Sequence, residues 1–398
     1  MVLGPPGEGK SELITATLHM TPGISAIVVD PAYELTPRTA KLRADSTGIV
    51  VFDPRNPQTA QYNPLAGIPV GDVDAVRAVM AAYLLERDLA EMTEQERYFN
   101  GSALELGTAI VAHAIELGTP TLEAAARHYY SAAWTSDHDF CESLLKSNIE
   151  YVNETASKYC RMDAKALSGI ISTLTQSLDV FRIPGVARAT GASTIAPADL
   201  RKSPTTFYLV MRGKDRAWLI PLMRLLLTGF LNDLTESKPR TNAHIMLLVD
   251  EFPALRTPII ARKLAEFRKY LIHPVLAAQS LSQILSYYGP HEEISGLCDV
   301  RVFFPSVDAP TQDLASRTCG NVTRWTESYN RGSDGKASRT VHEVGRPLLF
   351  PDDLARMKAT NEIVVYKKGE RPIRARPVRT YADKRFRSGR PDDGAPRG

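Results

Sequence analysis

The chain has 398 residues, 43% hydrophobic and 23% charged, with a formal net charge of +3. This is ordinary globular composition with length for two or three domains. No transmembrane helix is expected: the longest apolar stretch, Trp218 to Leu234, is interrupted by Pro221 and Arg224 and falls short of the ~20 apolar residues a span needs. No signal peptide is evident either.

The chain opens on a glycine-rich loop, Gly4-Pro5-Pro6-Gly7-Glu8-Gly9-Lys10-Ser11, followed by an apolar run that reads as a helix. The spacing G-x-x-x-x-G-K-S lets backbone N–H groups close around a phosphate, with Lys10 on the phosphate oxygens and the Ser11 hydroxyl toward Mg²⁺. Gly4, Gly7, Glu8, Gly9, Lys10, Ser11 and Glu12 therefore form the candidate nucleotide-binding set. Only Val2 and Leu3 stand where a lead strand is needed, so either the sequence starts late or a segment carried by relatives has been shed.

Two short β-branched runs follow, Ser25 to Pro31 and Gly48 to Pro54, each ended by Asp-Pro, as buried parallel strands facing a ligand would be. From Gly71 the period changes. Val73, Val76, Val79, Met80, Tyr83 and Leu84 recur at helical spacing, and the helical pattern continues with no strand until Thr205 to Met211. Strands are then expected at His244 to Glu251, Pro274 to Gln279, Val300 to Pro305 and Glu362 to Lys367. Tyr329 to Arg339, polar and turn-rich, reads as a mobile surface loop.

The alternation predicts an α/β fold, a parallel-rich nucleotide domain interrupted by an all-helical insertion. The expected boundaries are 1–68 and 176–381 for the nucleotide domain, 69–175 for the insertion and 382–398 for a basic disordered tail. From Lys367 onward eleven basic residues face four acidic ones, a net +7, leaving −4 for the rest of the chain. That end is either a solvated tail or a contact for a phosphate backbone. The four cysteines show no paired spacing, which points to a reducing compartment. His138 and Cys141 offer two ligands, too few for structural zinc.

Asp250 and Glu251 end an apolar strand, where a phosphate-loop enzyme needs one acid for the Mg²⁺ shell and one to polarise the attacking water. Gln279, at the end of the next strand, either senses the γ-phosphate or caps the following helix. Arg268 is a candidate for stabilising transition-state charge from a neighbouring subunit, or simply a solvated arginine. The loop alone looks like that of AAA+ ATPases, but 240 positions separate Lys10 from Asp250, unlike the close spacing of that family.

In order, VVDPAYEL, VFDPRN, YNPLAGI, LLVDEFPAL, AAQSLSQILSYYG, CDVRVFF, RPLLFPDDL and RPIRARPVRTY resemble the type IV secretion coupling proteins, conjugative DNA-transfer ATPases of the TraG/TraD kind. The resemblance runs from Gly4 to about Tyr381. It implies a RecA-like motor domain with an all-alpha insertion, a homo-hexamer around DNA that is single-stranded or relaxase-bound, and partners among secretion-channel or relaxosome proteins. It implies ATP and Mg²⁺ as ligands, held through Lys10, Ser11 and Asp250, with Asp250 and Glu251 as the hydrolytic pair, Gln279 as sensor and Arg268 near an arginine-finger position. Two departures stand out. The family's Asp-Pro-Lys-Gly-Glu is here Asp30-Pro31-Ala32-Tyr33-Glu34, and the membrane helices usual upstream of the loop are not in this sequence. The reading that results is a DNA-translocating ATPase, cytoplasmic or peripheral at the inner face of the cell membrane. The rival is a hydrolysis-deficient coupling protein that recruits secreted proteins through its helical domain.

Overall fold

The computed structural model describes residues 1–130, 136–331, 337–383 and 386. In chain order the first elements are β1 (Val2–Leu3), α1 (Lys10–Met20), β2 (Ser25–Asp30), α2 (Leu35–Ala44) and β3 (Gly48–Phe52). Helices alone follow: α3 (Val73–Leu84), α4 (Glu94–Glu116), α5 (Leu122–Tyr129), α6 (Asp137–Leu144), α7 (Glu150–Cys160), α8 (Ala164–Leu178), α9 (Pro184–Thr190) and α10 (Asp199–Lys202). The alternation then resumes with β4 (Thr205–Val210), α11 (Arg216–Leu234), β5 (Ile245–Val249), α12 (Pro258–Lys263), β6 (Ile272–Ala278) and α13 (Leu281–Tyr288). The last elements are α14 (Ile294–Leu297), β7 (Val300–Phe303), α15 (Ala309–Cys319), β8 (Asn321–Arg331), β9 (Ala337–Pro347), α16 (Asp353–Arg356), β10 (Ile363–Lys367) and β11 (Ile373–Ala375). This is the α/β architecture that the alternation predicts.

The chain divides into two compact units, one of Met1–Ala16 with the described residues from Val275 on, the other of Thr17–Pro274. In the first, strands run in the order β11-β10-β7-β1-β6. β1 is parallel to β6 and to β7, while β10 is antiparallel to β7 and to β11. The two residues of β1 suffice as a strand because both are buried and both are paired on either side.

In the second unit the order is β5-β2-β4-β3, all parallel. Every residue of β2 and of β4 is buried, which is why these strands read as continuous apolar runs rather than as alternation. Among the described helices of this unit, α3, α4, α5, α6 and α8 carry side-chain N-caps, from Asp72, Thr93, Thr121, Ser136 and Asp163. Thr93 and Glu96 form a reciprocal capping box at α4, and α4 is buried almost without interruption from Ala103 to Ile115. Contrary to the expectation from sequence, Gly213–Leu234, which contains α11, is long and apolar enough to cross a membrane, but 61% of its most apolar stretch is buried inside the protein, as in a core helix. Its Arg224, 2% exposed, donates to the carbonyls of Ala82 and Tyr83 at the end of α3, closing helix-end acceptors that lack a partner of their own.

One expectation is corrected. The segment Tyr329 to Arg339 is not simply a surface loop: Tyr329–Arg331 and Ala337–Arg339 pair as the end of an antiparallel hairpin running from Asn321↔Pro347 to Arg331↔Ala337, and 332–336 lie outside the described residues. The strands were overlooked because the turn-rich composition of the tip masked the β-branched residues Val322, Thr323, Val341 and Val344 on either side. The expected tail at 382–398 falls almost wholly outside the described residues. All four cysteines are free.

Arg43 ties the second unit together. Its buried guanidinium donates to Thr206 Oγ1 at 3.0 Å, to the carbonyls of Leu18 at 3.0 Å and Thr21 at 2.6 Å, and to that of Ile24. Arg43→Met would leave buried acceptors without donors and should cost roughly 3 kcal/mol. Urea denaturation measures this, and a loss below about 0.5 kcal/mol, the scale of an ordinary surface change, would show that the network is not stabilising.

Candidate functional site

The loop between β1 and α1 is built from backbone. Gly4 N donates to Ala278 O at 3.2 Å, continuing the pairing of Leu3 with Ala278. An added Cβ on Gly4 would stand 2.5 Å from Phe304 Cβ. Gly7 and Gly9 have φ of +81° and +112°, the region in which residues with a side chain are strained. Gly9 O accepts from Leu13 N at 3.2 Å, which starts α1. Lys10 is buried, and its ammonium donates to Gly4 O at 2.5 Å and Pro5 O at 2.9 Å. The loop thus folds around the lysine that the sequence picks out, while Ser11 is half-buried at the first turn of the helix.

Glu8 and Glu12 spend their carboxylates on protein groups. Glu8 pairs with Lys358 at 2.8 Å, and Glu12 accepts from Thr380 N at 2.9 Å and from Thr380 Oγ1. The carbonyl of Glu8 accepts from Arg379 Nη1 at 3.0 Å. These partners lie some 350 to 370 positions away, so no spacing rule could find them.

Gln279 belongs to the same unit, one residue beyond Ala278 and so beside the start of the loop. The cap of α13 is Ser280, whose hydroxyl accepts from Gln283 N at 3.1 Å, while Gln283 Oε1 accepts from Gln279 N at 3.0 Å. The helix therefore does not require Gln279 as its cap. Asp308 fixes this corner from α15: it accepts from Ser282 Oγ, from Thr311 N at 3.0 Å and from Thr311 Oγ1 at 2.6 Å. Burial opposes its charge, but these hydrogen bonds outweigh it and hold its carboxyl below the ordinary range.

The two acids belong to the other unit, at the carboxyl end of β5. Asp250 is buried; its N–H donates to Val29 O at 3.3 Å, and its Oδ1 accepts from Glu251 N at 3.0 Å. Glu251 has φ 49°, a left-handed conformation that costs a non-glycine residue energy and recurs at functional positions. Its Oε2 lies 2.5 Å from Arg216 Nη2, at the start of α11. Arg216 was not singled out in the sequence because it lies 35 positions upstream with no motif around it.

The carboxyl edge of this unit carries two further fixed pairs, Arg212 on Asp53 at 2.7 Å and Arg55 bidentate on Asp215. The bond to Asp53 raises the Arg212 pKa above its ordinary value. Asp30 accepts from Glu34 N at 2.9 Å and Thr36 N at 2.7 Å, which organises the start of α2. Arg268, in a 3-10 turn at Phe267–Tyr270, is exposed. It precedes β6 whereas Gln279 follows it, so the strand separates the two. Among the described residues no cluster of three or more His, Cys, Asp or Glu could hold a metal ion.

A sequence profile of the family described as "Type IV secretory system Conjugative DNA transfer" matches residues 1–393. Protein VirD4 of Agrobacterium fabrum is 27% identical over 403 residues, covering 97% of this chain and 59% of its own length. Conjugal transfer protein TraG of Escherichia coli is 26% identical over 392 residues, covering 90% and 61%. The chain thus spans about three fifths of the length of these relatives. Among solved structures, the bacterial conjugative coupling protein TrwBΔN70 in its unbound form aligns with a TM-score of 0.71 at 17% identity, over 95% of this chain and 84% of that one. TrwB in complex with ADP and Mg²⁺ aligns with a TM-score of 0.71 at 16% identity, over 94% and 84%. These likenesses show a shared fold.

The loop's geometry orders two substitutions. Gly4→Ala forces a Cβ against Phe304 and should destabilise the nucleotide-free protein by about 1–3 kcal/mol; Gly7→Ala, with open space around it, meets only backbone strain, about 1 kcal/mol. Thermal midpoints measured without nucleotide should fall further for Gly4→Ala, and the reverse order would contradict this packing.

Proposed function

The chain belongs to the type IV secretory system conjugative DNA transfer family, and from that premise we propose that it is an ATP-driven translocase of DNA or DNA–protein substrates. The observation that carries the reading is the loop Gly4–Ser11, folded around Lys10 at the carboxyl end of a parallel strand with Gln279 beside it. The family's description as conjugative DNA transfer, a relative named as a conjugal transfer protein, and a structural neighbour described in complex with ADP and Mg²⁺ support it.

In this reading the loop N–H groups and Lys10 bind the phosphates. Lys10 exchanges the carbonyls of Gly4 and Pro5 for phosphate oxygens. The Ser11 hydroxyl and the Asp250 carboxylate are the residues that would hold Mg²⁺, a hard cation that keeps waters and substrate phosphates in its shell and needs few protein ligands. When bound, that ion would offset charge on the β- and γ-phosphates. Glu251 orients and polarises the attacking water, which requires it to exchange Arg216 for that water. Gln279 reports the state of the γ-phosphate to α13 through the Ser280–Gln283 cap. The proposed arrangement of domains is an all-helical insertion at 69–175 within a nucleotide domain formed by 1–68 and 176–381. The proposed assembly is a homo-hexamer around DNA, cytoplasmic or peripheral at the inner face of the membrane, engaging relaxosome or secretion-channel proteins.

Two substitutions separate binding from chemistry. Lys10→Ala should abolish both nucleotide binding and DNA-stimulated ATP hydrolysis, while Glu251→Gln should retain binding and lose hydrolysis by two or more orders of magnitude. Parent-like turnover by Glu251→Gln would remove Glu251 from the role of base.

Arg268, exposed in the 3-10 turn before β6, is proposed to act on a neighbouring subunit's γ-phosphate. Arg268→Ala should bind nucleotide normally and fail to hydrolyse it. Mixed with Glu251→Gln subunits it should regain part of the activity, because one class of interface then carries both intact residues. No rescue in mixtures shown to be oligomeric would refute the role in trans.

A further inference from the structure

The phosphate loop is held from outside by a segment near the other end of the chain. Arg379 donates to Glu8 O at 3.0 Å and to Asn361 Oδ1 at 3.2 Å. Its guanidinium lies so close to Gly9 that an added Cβ there would meet Nη1 at 2.1 Å. The next residue, Thr380, gives both its N–H and its hydroxyl to Glu12 in the first turn of α1, and Thr380 itself is buried. Lys358 adds an ion pair to Glu8. The segment then turns, with the N–H groups of Ala382 and Asp383 both bonding to Arg379 O at 3.0 Å, so Arg379 is anchored at its backbone as well as at its side chain.

We propose that Arg379 and Thr380 form a strap that holds the phosphate loop in its anion-receptive shape, making them positioning residues for nucleotide binding. The Glu8–Gly9 peptide is trans, and the planarity of a trans peptide points its carbonyl and its N–H in opposite directions. Arg379 fixes the carbonyl on its own side and thereby turns the Gly9 N–H the other way, as a donor for an anion. Without this hold, Gly7 and Gly9 leave the loop free to rotate that peptide, since glycine adopts either sign of φ at little cost. Thr380 performs the complementary task on the helix side: its N–H and hydroxyl fix the Glu12 carboxylate, so the first turn of α1 is tied to the same segment that holds the loop. The strap rests on the reading of Gly4–Ser11 as the nucleotide site and adds residues that no loop motif contains.

The test titrates the full-length chain with a fluorescent ADP analogue, mant-ADP, in the presence of Mg²⁺, and extracts both the dissociation constant and the number of sites. Arg379→Ala should weaken binding by about 10- to 100-fold, the effect expected from losing charge-assisted hydrogen bonds, with the number of sites unchanged. Arg379→Lys, which keeps the charge and one donor, should recover part of the loss. A role in folding alone would lower the number of sites and leave the dissociation constant of the remainder intact, and that result overturns the proposal. If Arg379→Ala does not fold, Thr380→Val removes a single hydroxyl donor and should itself weaken binding several-fold; parent-like affinity in that variant, or in a folded Arg379→Ala, also overturns it. Failure of the unaltered chain to bind mant-ADP would instead overturn the nucleotide-site reading, and the strap with it.

Discussion

The parallel pairing of Val2 and Leu3 between β6 and β7 is the constraint on which the candidate site depends. Val2 lies opposite Ala277 and Val302, and Leu3 opposite Ala278 and Phe303, with both residues buried. Hydrogen bonds from Gly4 N to Ala278 O and from Phe304 N to Leu3 O carry the register one step further on each side. That register decides where the loop leaves the sheet, why position 4 has no room for a side chain, and why Gln279 stands next to the loop. A slip of one residue would exchange the faces that Val2 and Leu3 present and carry the loop away from Gln279.

From that anchor the loop's shape follows through three kinds of contact. Lys10 closes it from within by bonding to the carbonyls of Gly4 and Pro5. The first bond of α1, Leu13 N to Gly9 O, fixes its exit. Arg379, Lys358 and Thr380 hold its outer side. In the other unit the corresponding work is done by ion pairs at the carboxyl edge, Arg212 with Asp53, Arg55 with Asp215 and Arg216 with Glu251. There the departure from the family pattern has a visible consequence. Tyr33 occupies the usual glycine's place with φ 57°, and its ring packs 4.6 Å from the Arg212 guanidinium, so an aromatic contact offsets strain that a glycine would not have met.

What the sequence disclosed and what it hid divide along physical lines. The phosphate loop was legible because it is a local object: glycines at two fixed offsets and a lysine that folds back over five or six residues. β2, β4, β5 and the helices from α3 on were legible because burial on both faces or on one face imposes a period. The β8–β9 hairpin escaped because its exposed strands, with Trp325 67% exposed, carry no burial pattern and a polar tip. Arg216, Arg379 and Thr380 escaped because each meets the site across a distance in sequence that only the fold closes. Asp30 and Asp53 read in the sequence as ligand-facing strand ends; the structure gives them structural partners, the start of α2 and Arg212.

The central claim is that the loop around Lys10 binds the phosphates of a nucleotide together with Mg²⁺. Isothermal titration of the chain with a non-hydrolysable ATP analogue tests it most directly when run with Mg²⁺ and again with excess EDTA. The account predicts one saturable site per chain that weakens markedly when the cation is removed. Absence of saturable binding in the presence of Mg²⁺, from protein shown to be folded, would contradict it.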